Sequence, residues 1–376
     1  MQRTFLILCS TLALCACSSN PGFSGAPRSP LDGGPVVATL DGNHQVYRKL
    51  SDYRMLAFED GQLVTNDGVV PYDLNTPLFS DYALKFRTIW VPEGQSGSYT
   101  DDGPFEFPVG TVVTKTFSFA ADMRKPNENV RLIETRVLLK TETGWVPLPY
   151  IWNDEQTDAI LTEVGGATDV QFVHTDGTTK KTTYVIPDSN QCQECHGNVD
   201  PTDPEQTKVV GLIGPRAKHL NHTYTYDGSG QNQLAVLAER GILSGVPDDL
   251  DAEPHLAKWD DASESLERRA RAILDANCAH CHNPNGTAAG STLLLAAEVT
   301  DPPSYGVCNP PIRSIDENHP TTFDIDPGNP DASAIVVRFE STEPEVMMPR
   351  LGRTLVFEEG VQVVRDWIAA MPGGCN

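Results

Sequence analysis

The chain has 376 residues, 39% of them hydrophobic, which is enough for two or three domains with cores and too apolar for a mainly disordered protein. Lys and Arg number 28 against 51 Asp and Glu, a formal charge of −23, so there is no basic excess to displace counterions from nucleic-acid phosphates. Nine cysteines are too few for a disulfide scaffold of this length, and their positions carry the information.

Met1-Gln2-Arg3 is a short positive start, and Thr4 to Leu14 is an apolar run of signal-peptide size, too short to span a bilayer. The run ends in Leu14-Cys15-Ala16-Cys17-Ser18, which resembles the bacterial lipobox. That resemblance implies that residues 1–16 are removed and that Cys17 becomes a lipid anchor. It also implies that Ser18 after the anchor directs the chain to the outer membrane. A plain secretory signal cleaved near Ala16 is the alternative. Residues 17–35 are rich in Ser, Pro and Gly and read as a flexible tether. The expected location is therefore the periplasmic side of the cell envelope.

Residues 36–190 read as a β-rich domain. Val112 to Phe119 alternates Thr, Lys and Ser with Val and Phe, as a half-buried strand does. Leu132 to Lys140 is a second β-rich run, turned by Thr143-Gly144 into Trp145 to Leu148. Gln171 to Thr175 and Thr178 to Ile186 flank Asp176-Gly177, a hairpin signal. Tyr72 to Ala83 and Leu148 to Asn153 are dense in aromatics and turn formers, and pack as loops onto the sheet in preference to capping a cofactor.

Cys192-Gln193-Glu194-Cys195-His196 opens a segment of residues 191–250, and Cys278-Ala279-His280-Cys281-His282 follows it; both are C-x-x-C-H. Two thiols one helical turn apart reach the two vinyl groups of one porphyrin, and the next histidine offers its imidazole to the iron. The motifs therefore predict two covalently bound haem c groups, on Cys192, Cys195 and His196 and on Cys278, Cys281 and His282. A zinc ribbon places its cysteine pairs much closer together, and a thioredoxin-like site needs one C-x-x-C and no following histidine. Both stay open as lesser readings.

Between the motifs, Gln231 to Ile242 is a candidate helix that could cover the first haem. Pro247 to Asp251 and Trp259 to Asp261 read as an acidic, solvated linker. No Met occurs between Met123 and Met347, so the first haem has no methionine ligand from its own segment. His219 or His222 could close a bis-His site, with His255 and Lys218 weaker candidates. With no sixth ligand, the iron would be open to peroxide or small gases.

Asp261 to Ala276 is an amphipathic helix with Leu266, Ala270, Ile273 and Leu274 on one stripe, leading to Cys278. At the C-terminus Phe357, Val361, Val364, Ile368 and Met371 repeat at helical spacing. Glu358 and Glu359 suit the first turn, and Pro372-Gly373-Gly374 stops the helix. Met347-Met348-Pro349 lies between. This layout over residues 262–376 resembles a class I cytochrome c, which implies that His282 and a methionine sulfur ligate the second haem; Met348 is favoured and Met347 is the alternative. Met–His ligation fills both axial sites and suits electron transfer. Cys308 and Cys375, the remaining exported pair, are most simply a disulfide in an oxidising compartment.

The mature chain resembles a little-characterised family of bacterial dihaem c-type cytochromes, many of them lipoproteins. The match rests on Tyr72 to Asp81, Leu148-Pro149-Tyr150, Gln191 to His196, Asp275 to Pro284, Met347-Met348-Pro349 and Arg365 to Ile368. The family often accompanies an exported parallel β-helix protein, and it implies haem and export without a substrate. Dihaem cytochrome c peroxidases place their first motif nearer the N-terminus in a largely helical domain, unlike this chain. The expected fold is α+β: the β domain, the first haem segment, then a helical cytochrome domain. The favoured function is electron transfer with a periplasmic redox partner protein, with the membrane reached through the lipid and no nucleic acid involved. The alternatives are a haem enzyme or ligand sensor at the first haem, and a β domain that docks an envelope protein.

Overall fold

The computed structural model describes residues 33–36, 46–199, 205, 207–313, 315 and 321–375. The residues expected to form the signal peptide, most of those expected to form the tether, and Cys17 lie outside the described residues.

The N-terminal part is built from strands. β1 (Leu56–Glu59) and β2 (Gln62–Thr65) form a hairpin. Next come β3 (Val70–Tyr72), β4 (Leu84–Trp90), the two-residue β5 (Gly97–Ser98) and β6 (Val112–Ala120). They are followed by β7 (Val130–Thr141), β8 (Gly144–Trp152) and β9 (Ala159–Leu161). Strands β3, β4, β6, β7, β8 and β9 make one antiparallel sheet in that order. The two β runs and the turn at Gly144 lie where alternation predicted them.

The half-buried expectation for β6 is corrected: both of its faces are covered. On one face Thr114 and Thr116 hydrogen-bond the hydroxyls of Thr88 and Thr135 across the strands, which satisfies them inside the protein. That face packs on Tyr53, Leu63, Phe86, Val137 and Tyr150. The expected hairpin at Asp176-Gly177 is β10 (Gly166–Val173) with β11 (Thr179–Ile186). Asp176 Oδ1 accepts from the Thr178 N–H and hydroxyl, which closes the turn. Its Phe172, Tyr184 and Ile186 pack on Phe117, Phe119 and Ile133 of the sheet.

The next segment runs α1 (Cys192–His196), β12 (Gly197–Val199) and β13 (Lys208–Val210), then α2 (Ala217–Leu220). The hairpin β14 (Thr223–Tyr226) and β15 (Ser229–Asn232) follows, and then α3 (Gln233–Glu239) and β16 (Leu243–Ser244), which pairs in parallel with β5. The α3 helix starts two residues late because the Asn232 side chain caps it, accepting from the Leu234 N–H. Leu234, Val236 and Leu237 pack against Val70, Ile89 and Val113. The helix proposed as a haem cover is thus a cover for the sheet.

The C-terminal part holds α4 (Leu266–Leu274), a π turn over Asp275–Ala279, α5 (Ala334–Glu340) and α6 (Glu358–Ala369). The α4 helix begins five residues after Asp261 because Ser265 takes the cap, its Oγ accepting from the Arg268 N–H at 3.2 Å. Ala270, Ile273 and Leu274 of α4 meet Val361, Val364 and Ile368 of α6, with Phe339 of α5. Among the described residues, irregular chain and two short 3₁₀ turns, Ala289–Ser291 and Pro330–Ala332, lie between the π turn and α5. The fold is thus mixed α and β with a large N-terminal sheet region, the coarse form of the expected α+β class.

The loop between β3 and β4 fastens these parts together. Asn75 Nδ2 donates to Lys218 O and Leu256 O, and Thr76 Oγ1 donates to Ala257 O. The Phe79 N–H donates to Asn277 Oδ1, and the Phe79 ring stacks on Phe357 with centroids 4.9 Å apart. Asp81 accepts from the N–H groups of Thr354 and Leu355, both at 2.7 Å. The stretch is loop, but it packs largely on the chain around the second C-x-x-C-H motif and α6 rather than on the sheet, while Leu148 to Trp152, the other expected loop, is part of β8. Cys308 and Cys375 form the expected disulfide, tying the loop after the second motif to the C-terminal tail.

Candidate functional site

The first motif occupies the whole of α1, little more than one turn of helix, which sets Cys195 and His196 one turn on from Cys192. The second lies at the end of α4, where Asp275 to Ala279 adopts the wider π turn and carries Cys278. All four cysteines are half-buried thiols.

The two motifs touch each other. Sγ of Cys195, Sγ of Cys281 and a ring nitrogen of His280 all lie within 4.8 Å of one another. Cys281 Sγ sits 3.3 Å from the Glu194 carbonyl, and Thr287 Oγ1 donates to the same oxygen at 2.7 Å. The Val199 N–H donates to Asn285 O, so backbone on both sides of the contact is fixed. The hydrogen bond from Cys195 makes Cys281 the more acidic thiol of the pair, with His280 and Thr287 adding to it. The same bond, together with burial, pushes Cys195 up. His280 is buried, and its Nδ1 has no partner.

Both motif histidines are oriented by the fold. His196 Nδ1 lies 2.9 Å from the Gly211 carbonyl, which can only accept, so Nδ1 carries the proton. His282 Nδ1 lies 3.0 Å from Ser291 Oγ. Bonding at Nδ1 leaves Nε2 as the nitrogen offered to a metal, the arrangement metal-ligating histidines usually have. Burial pushes His196 down to about 4 and His282 below its ordinary value, so both rings are neutral near pH 7, and the Gly211 bond leaves the lone pair of His196 on Nε2.

The Met347-Met348-Pro349 strap is held by two arginines. The Met348 N–H donates to Arg338 O at 2.8 Å, and Arg353 Nη2 donates to Met348 O at 2.9 Å. Arg353 is buried, with its Nε unpartnered. The charge of Arg338 acts on His282 and that of Arg353 on Cys278, so the strap and the second motif share one neighbourhood.

The histidines considered for the first haem are committed elsewhere. His219 Nε2 is paired with Asp275 Oδ1 at 2.9 Å, while Lys218 Nζ donates to Asp275 Oδ2 at 2.5 Å and to Glu298. His222 Nε2 lies 2.8 Å from Gln233 Nε2, and His255 meets Arg268 at the surface. Among the described residues, no hydrogen bond or ion pair joins His219 or His222 to the first motif. The ring of His219 is instead part of a buried charge network that steadies the turn carrying Cys278.

Sequence reasoning passed over three groups. Asp275 and Arg353 were invisible because their roles depend on chain neighbours far away in sequence. Lys85, Arg87, Lys115 and Arg136 did leave a signal: basic residues at alternate positions of strands that are otherwise apolar or hydroxylated. Comparison with protein-family models, with curated proteins and with solved structures finds no match.

Proposed function

We propose that the chain is an exported dihaem c-type cytochrome that passes electrons in the cell envelope. The observation that carries this reading is the pair of C-x-x-C-H motifs, each with its histidine Nδ1 bonded by the fold and Nε2 left for iron. The donor set fits haem c. Cys192 and Cys195 would hold the first group and Cys278 and Cys281 the second, with His196 and His282 as the axial nitrogens. Bound haem supplies one-electron transfer.

Around these attachment points the chain's own residues position and shield. Gly211 and Ser291 set the two imidazole planes. Arg338 and Arg353 hold the backbone of Met348, the methionine we assign to His282's iron, and Met347 is the neighbour it must be tested against. Residues 262–376, where α4 packs on α6, are the part we read as a domain of class I cytochrome c type, from the order of motif, Met-Pro and closing helix in the sequence. Signal-peptide export, the lipid on Cys17, an outer-membrane position and a basic redox partner complete the proposal. The chain's charge of −23 suits that partner, and docking would weaken with salt.

The test is direct. The protein purified from a bacterial envelope is denatured, and the mass and the haem absorption of the polypeptide are measured. Two haems that stay with the chain support the reading, and none rejects it. Carbon monoxide is then added to the ferrous protein. No binding fits a carrier with both irons six-coordinate, whereas binding at one haem moves the assignment to an enzyme or ligand sensor at the first motif.

A second reading is favoured by one observation, the Cys195, His280 and Cys281 cluster. Two thiolates and an imidazole are a usual part of a zinc set. One equivalent of zinc in the purified protein with no haem absorption would select it.

A further inference from the structure

Four cations gather on one face of the six-stranded sheet. Arg87 on β4, Lys115 on β6 and Arg136 on β7 are direct cross-strand partners, and Lys85 lies two residues from Arg87 on the same face. Like charges set opposite one another in a sheet are destabilising unless something neutralises them. The Lys85 and Lys115 ammonium groups and the Arg136 guanidinium all converge on the Phe117 ring, at 5.9, 4.8 and 4.5 Å from its centroid.

The chain neutralises only part of this charge. Arg87 Nη1 pairs with Asp73 at 2.8 Å, and Arg136 pairs with Glu134 at 2.6 Å. Among the described residues no carboxylate lies within ion-pair distance of Lys85 or Lys115. Arg87 is 3% exposed, and its Nη2 has no partner. Burial and then the nearby Arg87 push Lys85 down to about 7 and Lys115 well below its ordinary value. A protein with a large acidic excess has thus kept, among its described residues, two lysines with no carboxylate partner inside its covered sheet.

Their position gives the cluster a use. Lys115 and Arg136 act electrostatically on Cys195 and His196, and Arg136 also on Cys192. The charge of the cluster therefore reaches the first C-x-x-C-H motif. Glu134 is held by Arg136 and by the Tyr184 hydroxyl at 2.8 Å, so the Arg136 fork is fixed in advance. Arg87 Nη2 and Lys115 Nζ remain as donors, and Phe117 forms the apolar floor.

We propose that Lys85, Arg87, Lys115 and Arg136 form an anion-binding site that takes a carboxylate or small oxyanion against the first motif. The anionic oxygens have two possible sources: the propionates of a haem held by Cys192 and Cys195, or a free anion that reaches that haem. Only the first source rests on the function proposed above.

The protein as purified is used, with its haem content counted first. Wild type, Lys115→Gln and Lys115→Arg are titrated calorimetrically with inorganic phosphate and with acetate. The ferric-to-ferrous ratio of the first haem is read at fixed applied potentials. If a free anion fills the site, wild type binds phosphate or acetate, Lys115→Gln weakens binding at least tenfold, and Lys115→Arg retains it. If propionates fill it, the haem-loaded wild type binds neither probe. Lys115→Gln then shifts the ratio toward ferric by about tenfold, since a lost cation favours the oxidised iron, and Lys115→Arg restores it. A haem-free chain that binds anion with the same dependence on Lys115 keeps the site and removes the dihaem reading. Lys115→Gln removes a repelled charge and is expected to fold; Lys85→Gln serves as a second variant. The proposal is overturned if neither variant changes anion affinity or the redox ratio.

Discussion

Sγ of Cys195 and Sγ of Cys281, the last cysteines of two motifs far apart in sequence, lie within 4.8 Å of each other. Each is a point where a porphyrin edge would be attached. Two such edges meeting at one contact would set the haems close enough for their strong absorption bands to couple. The expected outcome is a two-signed circular dichroism signal in the Soret region of the wild type. The double variant Cys192→Ala/Cys195→Ala, which keeps only the second haem, should show a single-signed band. A wild-type spectrum that is only the sum of two independent haems would reject the contact as the haem-to-haem junction.

Met348 and Met347 can be separated by the same kind of measurement. Arg353 and Arg338 fix the Met348 backbone beside the second motif, so Met348→Ala should remove the long-wavelength sulfur-to-iron band and open that iron to carbon monoxide. Its potential should fall. Met347→Ala should leave band and potential in place. The reverse result exchanges the two assignments.

Asp275 is where fold and site are joined. Burial alone would raise its carboxyl, yet the hydrogen bond and charge of His219, with Lys218, hold it well below the ordinary carboxylate range. A depressed carboxyl contributes stability that is present above its unfolded value and is lost only as pH falls far below it. Asp275→Asn leaves Lys218 with only the exposed Glu298 as its ionic partner, and breaking the buried half of the network costs up to about 3–5 kcal/mol. Urea unfolding should show that loss at pH 7. His219→Gln should lower stability while leaving the absorption of the first haem unchanged; a changed Soret band would restore His219 as its ligand.

The disulfide offers a check on the C-terminal part. Cys308 and Cys375 are 67 residues apart, and opening a crosslink over a loop of that size lowers stability by about 2–5 kcal/mol. Cys308→Ser/Cys375→Ser should therefore melt earlier, and unchanged melting would mean that the crosslink does not stabilise the native protein.

The strands, the hairpin at Gly177, the helices α4 and α6 (though not the cap that starts α4) and the Cys308–Cys375 pairing were legible because each depends on local pattern or on a count of cysteines. β6 was misread at one point: Thr114 and Thr116 resemble a solvated face, but hydroxyls bonded across strands can be buried. The sheet-facing role of α3 was also hidden, since an apolar stripe does not say what it will cover. The motifs themselves were plain in the sequence. Their contact through Cys195 and Cys281, the Nδ1 bonds of His196 and His282, and the cation cluster beside Phe117 were not, because each joins residues brought together only by folding.

Asp324 gives the clearest dependence on pH. It is 9% exposed, and its one polar side-chain partner among the described residues, Asn309 Nδ2, is 3.4 Å away. Burial raises its carboxyl to about 6, against the weaker opposing effects of Arg338 and Asn309. An acid raised on folding binds more protons in the native than in the unfolded state between the two values. Stability therefore falls as pH rises from about 4 to about 6 and stays lowered above that window. Two pH units correspond to at most about 3 kcal/mol. Asp324→Asn removes the charge and keeps a polar group toward Asn309. It should be more stable than wild type at pH 7 by about 1–3 kcal/mol and equal to it near pH 4, measured by urea unfolding at both. A variant less stable at pH 7 would show that the Asp324 carboxylate is favoured by Arg338 and not penalised by burial.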